Sequence, residues 1–241
     1  MEPHISVISL NIEHAKHLDL IEPFLERENP EVFCVQELLE QNIPFFEKIA
    51  GKLVCFAPMA AHSGKVDPAA VGVMGVGIFS RLPAISRGIE YYFGNQNDII
   101  NFESNGLGIM NRALIYCDVE KGGKTFRIGT THFTWTPDGY PSDSQRRDLR
   151  AFLGILEKAG EIVFTGDFNA ARGREIFDEI ARRYKDNVPD KYTNSIDNTF
   201  HRSENLELMI DGFFSTPAYK VSDVEMVCGL SDHCAIKARI S

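Results

Sequence analysis

Short runs of β-branched and aromatic residues recur along the whole chain, broken by a few stretches in which apolar positions return every third or fourth residue. ISVISLNI (5–12) has the content of a strand, and AKHLDLIEPFLERE (15–28) places Leu18, Ile21, Phe24 and Leu25 at helical spacing. Pro23 is expected to shorten or kink that helix, because proline lacks the backbone N–H. EVFCVQE (31–37) predicts a second strand, QNIPFFEKIAG (41–51) a short helix stopped at Gly51, and KLVCFAP (52–58) a third strand. Residues 58–72 read as a loop, and VMGVGIFS (73–80) as a glycine-interrupted strand stopped by Pro83.

A polar segment (94–106) precedes GIMNRALIYCDVEKGGKTFRIGTTHF (108–133), a hairpin pattern with Gly122 and Gly123 at the turn. SDSQRRDLRAFLGILEKAG (142–160) is the clearest helix, with Leu149, Phe152, Leu153 and Leu156 on one face and Gly160 as its stop. EIVFTGDFN, LMIDGFFST, YKVSDVEMV and CAIKARI supply further strands. Helices alternate with strands early and hairpins dominate late, so the pattern predicts an α/β chain with two mixed β-sheets packed as a sandwich and flanked by helices. No linker, composition shift or internal repeat divides residues 1–241, which predicts one domain.

Polar residues interrupt this pattern at particular places. Asn11 ends the first strand, Glu37 the second and His132 the hairpin; Asp167 and Asn169 follow IVFTG, Asp211 lies in LMIDGFF, and Asp232 and His233 precede the last strand. One polar residue at a strand end is ordinary turn chemistry. A whole series restricted to Asp, Glu, Asn and His is a chemical set. Oxygen donors such as Glu37, Asn11 and Asp232 suit a hard cation, Mg²⁺ or Mn²⁺. Asp167 and Asn169, two apart on a turn, can hold and polarise a water. An Asp beside a His fixes the imidazole's tautomer and raises its basicity, and both Asp211 and Asp232 are candidates for His233.

Composition narrows the options. The chain has 241 residues, 44% of them hydrophobic and 24% charged, enough for a sizeable core. A net charge of −9 argues against non-specific polyanion binding, which needs clustered Lys and Arg. Cys34, Cys55, Cys117, Cys228 and Cys234 are odd in number, scattered and mostly within apolar runs, so they read as reduced core thiols of a cytoplasmic protein. No signal-peptide pattern opens the sequence, no run is long enough to span a bilayer, and no obligate protein partner is evident.

The segments LNIE, VQEL, GIFSRLP, TTHF, FTGDFNA, MIDGFF and GLSDHCAI, taken in order, resemble the successive motifs of the endonuclease/exonuclease/phosphatase superfamily, the DNase I-like fold. GDFN followed some sixty residues later by SDH is the most specific part. The resemblance implies a four-layer α/β sandwich of two mixed sheets flanked by helices, and a divalent-metal phosphoesterase that works by in-line attack of an activated water. It implies Glu37 as principal metal ligand, Asn11 as a contact to metal or phosphate, and Asp232 at the metal. Asp167 would activate the water and Asn169 position it against a phosphoryl oxygen. His233 would accept a proton or stabilise the pentacovalent phosphorane, oriented by Asp211. Side chains of adjacent residues on an extended segment point to opposite sides, which favours Asp211 over Asp232 for that task. His132 matches a histidine of the DNase, sphingomyelinase and inositol-phosphatase branches, whereas the abasic-site nuclease branch tends to carry tyrosine there.

Weaker candidates are Arg112, as a phosphate contact or a solvated strand arginine, and Trp135 with Tyr140, as stacking residues or loop packing. Asp197 and Asn198 read as site-lining residues or equally as an Asx turn, His201 and Arg202 as substrate contacts, and His62 and Lys65 as solvated. The substrate class stays open between a small phosphorylated molecule, a lipid headgroup and nucleic acid. A DNA or RNA nuclease of the same fold, and a catalytically silent binding module, are the alternatives.

Overall fold

The computed structural model describes residues 3–103, 109–137, 139–203 and 205–241; positions 104–106 of the polar segment, residue 108 at the start of the hairpin pattern, and residue 138 of the Trp135 loop lie outside them. The elements are β1 (Ile5–Asn11), α1 (Leu18–Glu28), β2 (Val32–Leu39), a 3-10 turn (Glu40–Asn42), α2 (Ile43–Ile49), β3 (Lys52–Ser63), β4 (Val71–Ser80), β5 (Ala84–Phe93), β6 (Ile100–Asn101), β7 (Arg112–Lys121), β8 (Lys124–His132), α3 (Asp143–Ala159), β9 (Val163–Asp167), α4 (Glu175–Arg183), β10 (Lys185–Asp186), β11 (Asp211–Ser215), β12 (Val221–Val227) and β13 (Ala235–Ile240). One sheet runs β12-β13-β1-β2-β4-β3-β6 and the other β10-β11-β9-β8-β7-β5. Both are mixed: β1 pairs parallel with β2 and antiparallel with β13, and β9 pairs parallel with β8 and antiparallel with β11.

Strand alternation explains the four layers. On β1, Ile5 and Val7 enter the core between the sheets, while Ile8 and Leu10 face Ile21, Phe24 and Leu25 of α1. On β9, Val163 points inward and Phe164 faces Phe152 of α3 and Phe177 of α4. Each sheet therefore buries one face against the other sheet and one against helices, and its strands are apolar on both sides. α3 carries a Ser142 N-cap whose hydroxyl accepts from the Gln145 N–H, and it ends at Gly160.

Several expectations need correction. Residues 58–72 are mostly strand: β3 runs to Ser63 and β4 begins at Val71. The extension buries His62, which stacks on Phe102 with ring centroids 4.5 Å apart, so it is not a solvated loop residue. Pro23 sits inside α1 without ending it, and the helix begins at Leu18, not at residue 15. α4 is absent from the elements that the sequence pattern predicts, although Ile176, Phe177 and Ile180 give it a buried stripe. The cysteines are not all reduced: Cys228 and Cys234 form a disulfide, and Cys34, Cys55 and Cys117 are free and buried. The reason lies in hairpin register. β12 and β13 pair Val227 with Ala235, so the next positions outward are Cys228 and Cys234, a relation that spacing alone does not reveal.

Candidate active site

The same alternation that builds the core delivers polar side chains to one end of it. Asn11 is in phase with Ile5 and Val7, His132 with Phe126 and Ile128, Asp167 with Val163, and Asp211 with Phe213, all inward-facing positions. Register completes the assembly: Asp167 is the direct cross-strand neighbour of His132 on one side and Asp211 on the other. Glu37 arrives differently. A bulge between Val35 and Leu38 breaks the β2–β4 register, and Glu37 sits in it with φ 57°, a left-handed conformation that re-aims the side chain. The strand resumes to Leu39, so Glu37 lies within β2 and does not end it.

Asp167 is the centre of the cluster. Asn11 Nδ2 donates to Asp167 Oδ2 and to Glu37 Oε1, each at 3.1 Å, linking the two carboxylates. His132 Nε2 stands 3.4 Å from Asp167 Oδ2 and 3.9 Å from Glu37 Oε1. His233 Nε2 is 3.7 Å from the same Asp167 oxygen, and its Nδ1 is 2.8 Å from Asp211 Oδ2. Asp167 Oδ1 accepts the Asn169 N–H at 2.8 Å, and Asn169 Nδ2 donates to the Phe133 carbonyl. Arg112 is buried and donates to the His132 carbonyl at 3.0 Å, so it is not a solvated strand arginine. Asp232 and Trp135 line the same cavity, of about 360 Å³. The Asp232 carboxylate accepts from the Ser231 hydroxyl. Tyr140 is exposed, with the Arg174 guanidinium 3.9 Å above its ring.

The environments push like groups apart. Burial would lower the pKa of His233, but Asp211 and Asp167 outweigh it and hold the imidazole well above its ordinary value. His132 goes the other way: burial first, then the positive charge of Arg112 and of His233, push it well below. Asp167 rises to about 7, because burial and the negative charges of Asp211 and Glu37 outweigh the relief from His233 and the Asn169 N–H. At neutral pH the site thus holds a cationic imidazole, a neutral imidazole and a carboxyl group poised to titrate. Such divergence is how acid and base roles are divided.

The donor set fits a hard divalent cation. Glu37 Oε2 is 3.5 Å from His14 Nδ1, both ring nitrogens of His14 are buried without hydrogen-bond partners, and the charges of Asp211 and Glu37 raise the Asp167 carboxyl. Asp167, Asp211 and His233 each place a donor atom within 4.8 Å of the others, yet His233 Nδ1 is already engaged by Asp211. That trio is therefore tied together by a hydrogen bond, while Glu37 and Asp232 add two further carboxylates to the cavity wall and the Asn11 amide links Glu37 to Asp167.

A model of the Endonuclease/Exonuclease/phosphatase family matches residues 8–233. The chain belongs to that family. Its fold is shared by an endonuclease/exonuclease/phosphatase from Bacteroides vulgatus (TM-score 0.73, 17% identity, covering 100% of this chain and 99% of that one). TDP2 of D. rerio, complexed with a single-strand DNA product, is similar over 100% of both chains (TM-score 0.69, 18% identity). A mannosyl-6-phosphatase of Bacteroides thetaiotaomicron matches 98% of this chain with 99% of its own (TM-score 0.66, 14% identity). No curated protein sequence matches the chain.

Some residues of the site lie outside the set that the sequence predicts. His14 and Glu13 follow β1 in successive left-handed conformations, and Lys16 bridges Glu13 and Asp67 at the cavity wall. Gln145, on the buried face of α3, donates to the carbonyls of Thr134 and Asn169 and so ties two site loops together. A glutamine in phase with Leu149 and Phe152 is the available signal. Ser195 is wholly buried, and its hydroxyl accepts from the N–H groups of Ile210 and Asp211. Asp197 and Asn198 support the backbone, Asp197 receiving Gly229 N–H and Asn198 receiving Leu206 N–H, whereas His201 and Arg202 line the cavity.

Proposed function

We propose that the protein is a Mg²⁺- or Mn²⁺-dependent phosphoesterase acting on a small-molecule phosphate ester. The observation that carries this reading is the position of the Asp167 carboxylate, bonded to Asn11 and flanked by a neutral His132 and a cationic His233. Asp167, as carboxylate, takes the proton of the attacking water, and Asn169 holds that water's position beside it. His233 offers positive charge to the phosphoryl oxygens as they gain electron density, with Asp211 fixing its tautomer. His132 hydrogen-bonds phosphate or the leaving oxygen, and Arg112 reinforces the His132 loop from behind. Glu37, Asn11 and Asp232 would hold the cation, which when bound supplies Lewis-acid polarisation of a phosphoryl oxygen.

The cavity supports the small substrate. Its acidic side chains, Glu13, Glu37, Asp67, Asp167 and Asp232, outnumber its cations, Lys16, Arg112, Arg202 and His233, and Lys16 is already held by Glu13 and Asp67. A polyanion tracked along its backbone needs rows of cations. Trp135, Phe200, Leu206 and Leu208 add apolar lining suited to the body of a compact ester.

The test is metal-dependent turnover of bis(p-nitrophenyl) phosphate, p-nitrophenyl phosphate, sugar phosphates and single-stranded oligonucleotides by wild type, Glu37→Ala, Asp167→Ala and His233→Ala. Loss of hydrolysis in all three folded variants is expected. No metal-dependent turnover by wild type would leave a silent binding module, unchanged turnover in the three variants would overturn the assignment of these residues, and a preference for oligonucleotides would overturn the substrate class in favour of a nuclease.

A further inference from the structure

The Cys228–Cys234 disulfide closes the loop that carries Asp232 and His233. β12 and β13 pair Ser222 with Arg239 and, after a bulge, Glu225 with Lys237 through Val227 with Ala235, so the two cysteines are the next facing pair, with Cα atoms 4.2 Å apart. Beyond the bond the chain has only Gly229 to His233 in which to turn. The far side of the loop is held by a different segment. Asp197 accepts the Gly229 N–H at 2.6 Å and donates its own N–H to the Asp232 carbonyl at 2.9 Å; Ile196 makes a β-bridge to His233; and the Cys234 N–H reaches the Ser195 carbonyl at 2.8 Å. His233 is thus held between a covalent staple on the strand side and hydrogen bonds on the other.

We propose that Cys228 and Cys234 are positioning residues for His233 and Asp232, and that reduction of their disulfide by a dithiol lowers turnover. The inference rests on the phosphoesterase reading above for its kinetic arm only. Access favours it. Cys234 is buried but Cys228 is exposed, so a dithiol reaches the bond from solvent. The reductant's thiolate attacks one sulfur to form a mixed disulfide, its second thiol closes on the first, and two protein thiols leave with two electrons and two protons while the dithiol becomes a cyclic disulfide. Cys34, Cys55 and Cys117 lie in the core between the sheets, with burial raising each thiol's pKa, and do not compete for the reagent. With the staple open, the loop closes only from the Val227–Ala235 ladder pair, one residue further back on each strand, and His233 is held less tightly against Asp211 and Asp167. Misplacing a catalytic group by about 1 Å can cost ~100-fold in rate.

The experiment uses the full chain, purified under oxidising conditions, with the disulfide counted by alkylation and intact mass. Wild type is reduced with dithiothreitol, desalted into Mn²⁺ buffer and compared with the oxidised protein and with Cys228→Ser on bis(p-nitrophenyl) phosphate. Reduction is expected to lower kcat about tenfold or more with KM within about twofold, because orientation and not binding is lost. Reoxidation restores it, and Cys228→Ser behaves as the reduced protein and ignores the dithiol. A second readout needs no activity: the downfield proton of His233 Nδ1 bonded to Asp211 is sharp in the oxidised protein and broadened or lost on reduction. Free thiols at both positions in the oxidised preparation would overturn the proposal, as would unchanged kcat together with an unchanged downfield proton in reduced, folded protein. If no phosphate ester is turned over even by the oxidised protein, the phosphoesterase reading fails, and the proton resonance alone decides the positioning role.

Discussion

Asp211 Oδ2 meets His233 Nδ1 at 2.8 Å across 22 positions of sequence, while Asp232, adjacent to the histidine, turns to the Ser231 hydroxyl. The two carboxylates therefore differ in what they support. Asp211→Asn removes the largest contribution holding the imidazole cationic but leaves Glu37, Asn11 and Asp232 untouched. Its kcat is expected to fall by ~10²–10⁴, the range of acid–base contributions, with Mn²⁺ affinity by titration calorimetry unchanged. Asp232→Asn should do the reverse and weaken Mn²⁺ binding. Exchange of those two phenotypes would refute the assignment.

Asp167 makes the activity and the stability respond oppositely to pH. As the proposed base it must be ionised, so kcat/KM should rise with unit slope as pH passes through about 7. Folding linkage has the other sign. The unfolded carboxyl titrates near 3.8 and the folded one at about 7, so between these values only the folded state keeps the proton, and its contribution to stability declines as pH rises through that window. Asp167→Asn should abolish turnover and, in metal-free protein at pH 8, raise the melting temperature relative to wild type. Removing the ionisable group should also flatten the pH dependence of stability between about pH 5 and 7, where the linkage of a single proton amounts to ~1 kcal/mol per pH unit. A mutant that melts below wild type at pH 8 would contradict the burial argument.

Ser195 joins both halves of the His233–Asp211 pair. Its hydroxyl accepts the Ile210 and Asp211 N–H groups at 3.0 and 3.1 Å, and its carbonyl accepts the Cys234 N–H at 2.8 Å. Ser195→Ala strands two buried donors, each costing ~1–3 kcal/mol if left unpaired. Urea unfolding should show that loss, and kcat should fall while KM holds. Ser195→Thr, which keeps the hydroxyl, should recover part of both. Wild-type stability and kcat in Ser195→Ala would remove Ser195 from the support of the site.

What the sequence discloses follows from what is local. Asn11, His132 and Asp167 are legible because a polar residue closing an apolar alternating run departs from a strong period-two pattern. The family resemblance then orders them, and the family match covers residues 8–233. Features that depend on long-range register are not legible. The Cys228–Cys234 bond needs the β12–β13 pairing, the burial of His62 needs Phe102 and His14 brought against it, that of Arg112 needs the His132 carbonyl on the next strand, and the Ser195 clasp joins three separate segments. The β2 bulge belongs to this group, since EVFCVQE (31–37) reads as a strand that simply ends at Glu37, whereas β2 continues past it to Leu39.

That bulge gives Glu37 two separable tasks, a backbone one and a charge one. Its φ of 57° is a conformation that non-glycine residues adopt at some cost, held here by β4 on one side and the Asn11 amide on the other. Glu37→Gln retains the shape and the acceptor for Asn11 but deletes a charge that raises the Asp167 carboxyl. Metal-free Glu37→Gln should fold with unchanged circular dichroism, and the pH midpoint for ionisation of Asp167 should move down toward the ordinary carboxylate range. Mn²⁺ affinity should fall by about tenfold or more, because the proposed cation site loses a carboxylate that faces the cavity. Turnover should fall with it and recover partly at high Mn²⁺, as expected for a ligand whose role is to hold the ion. Unaltered Mn²⁺ affinity in this variant would move the cation away from Glu37 and toward the Asp167–Asp211–His233 trio.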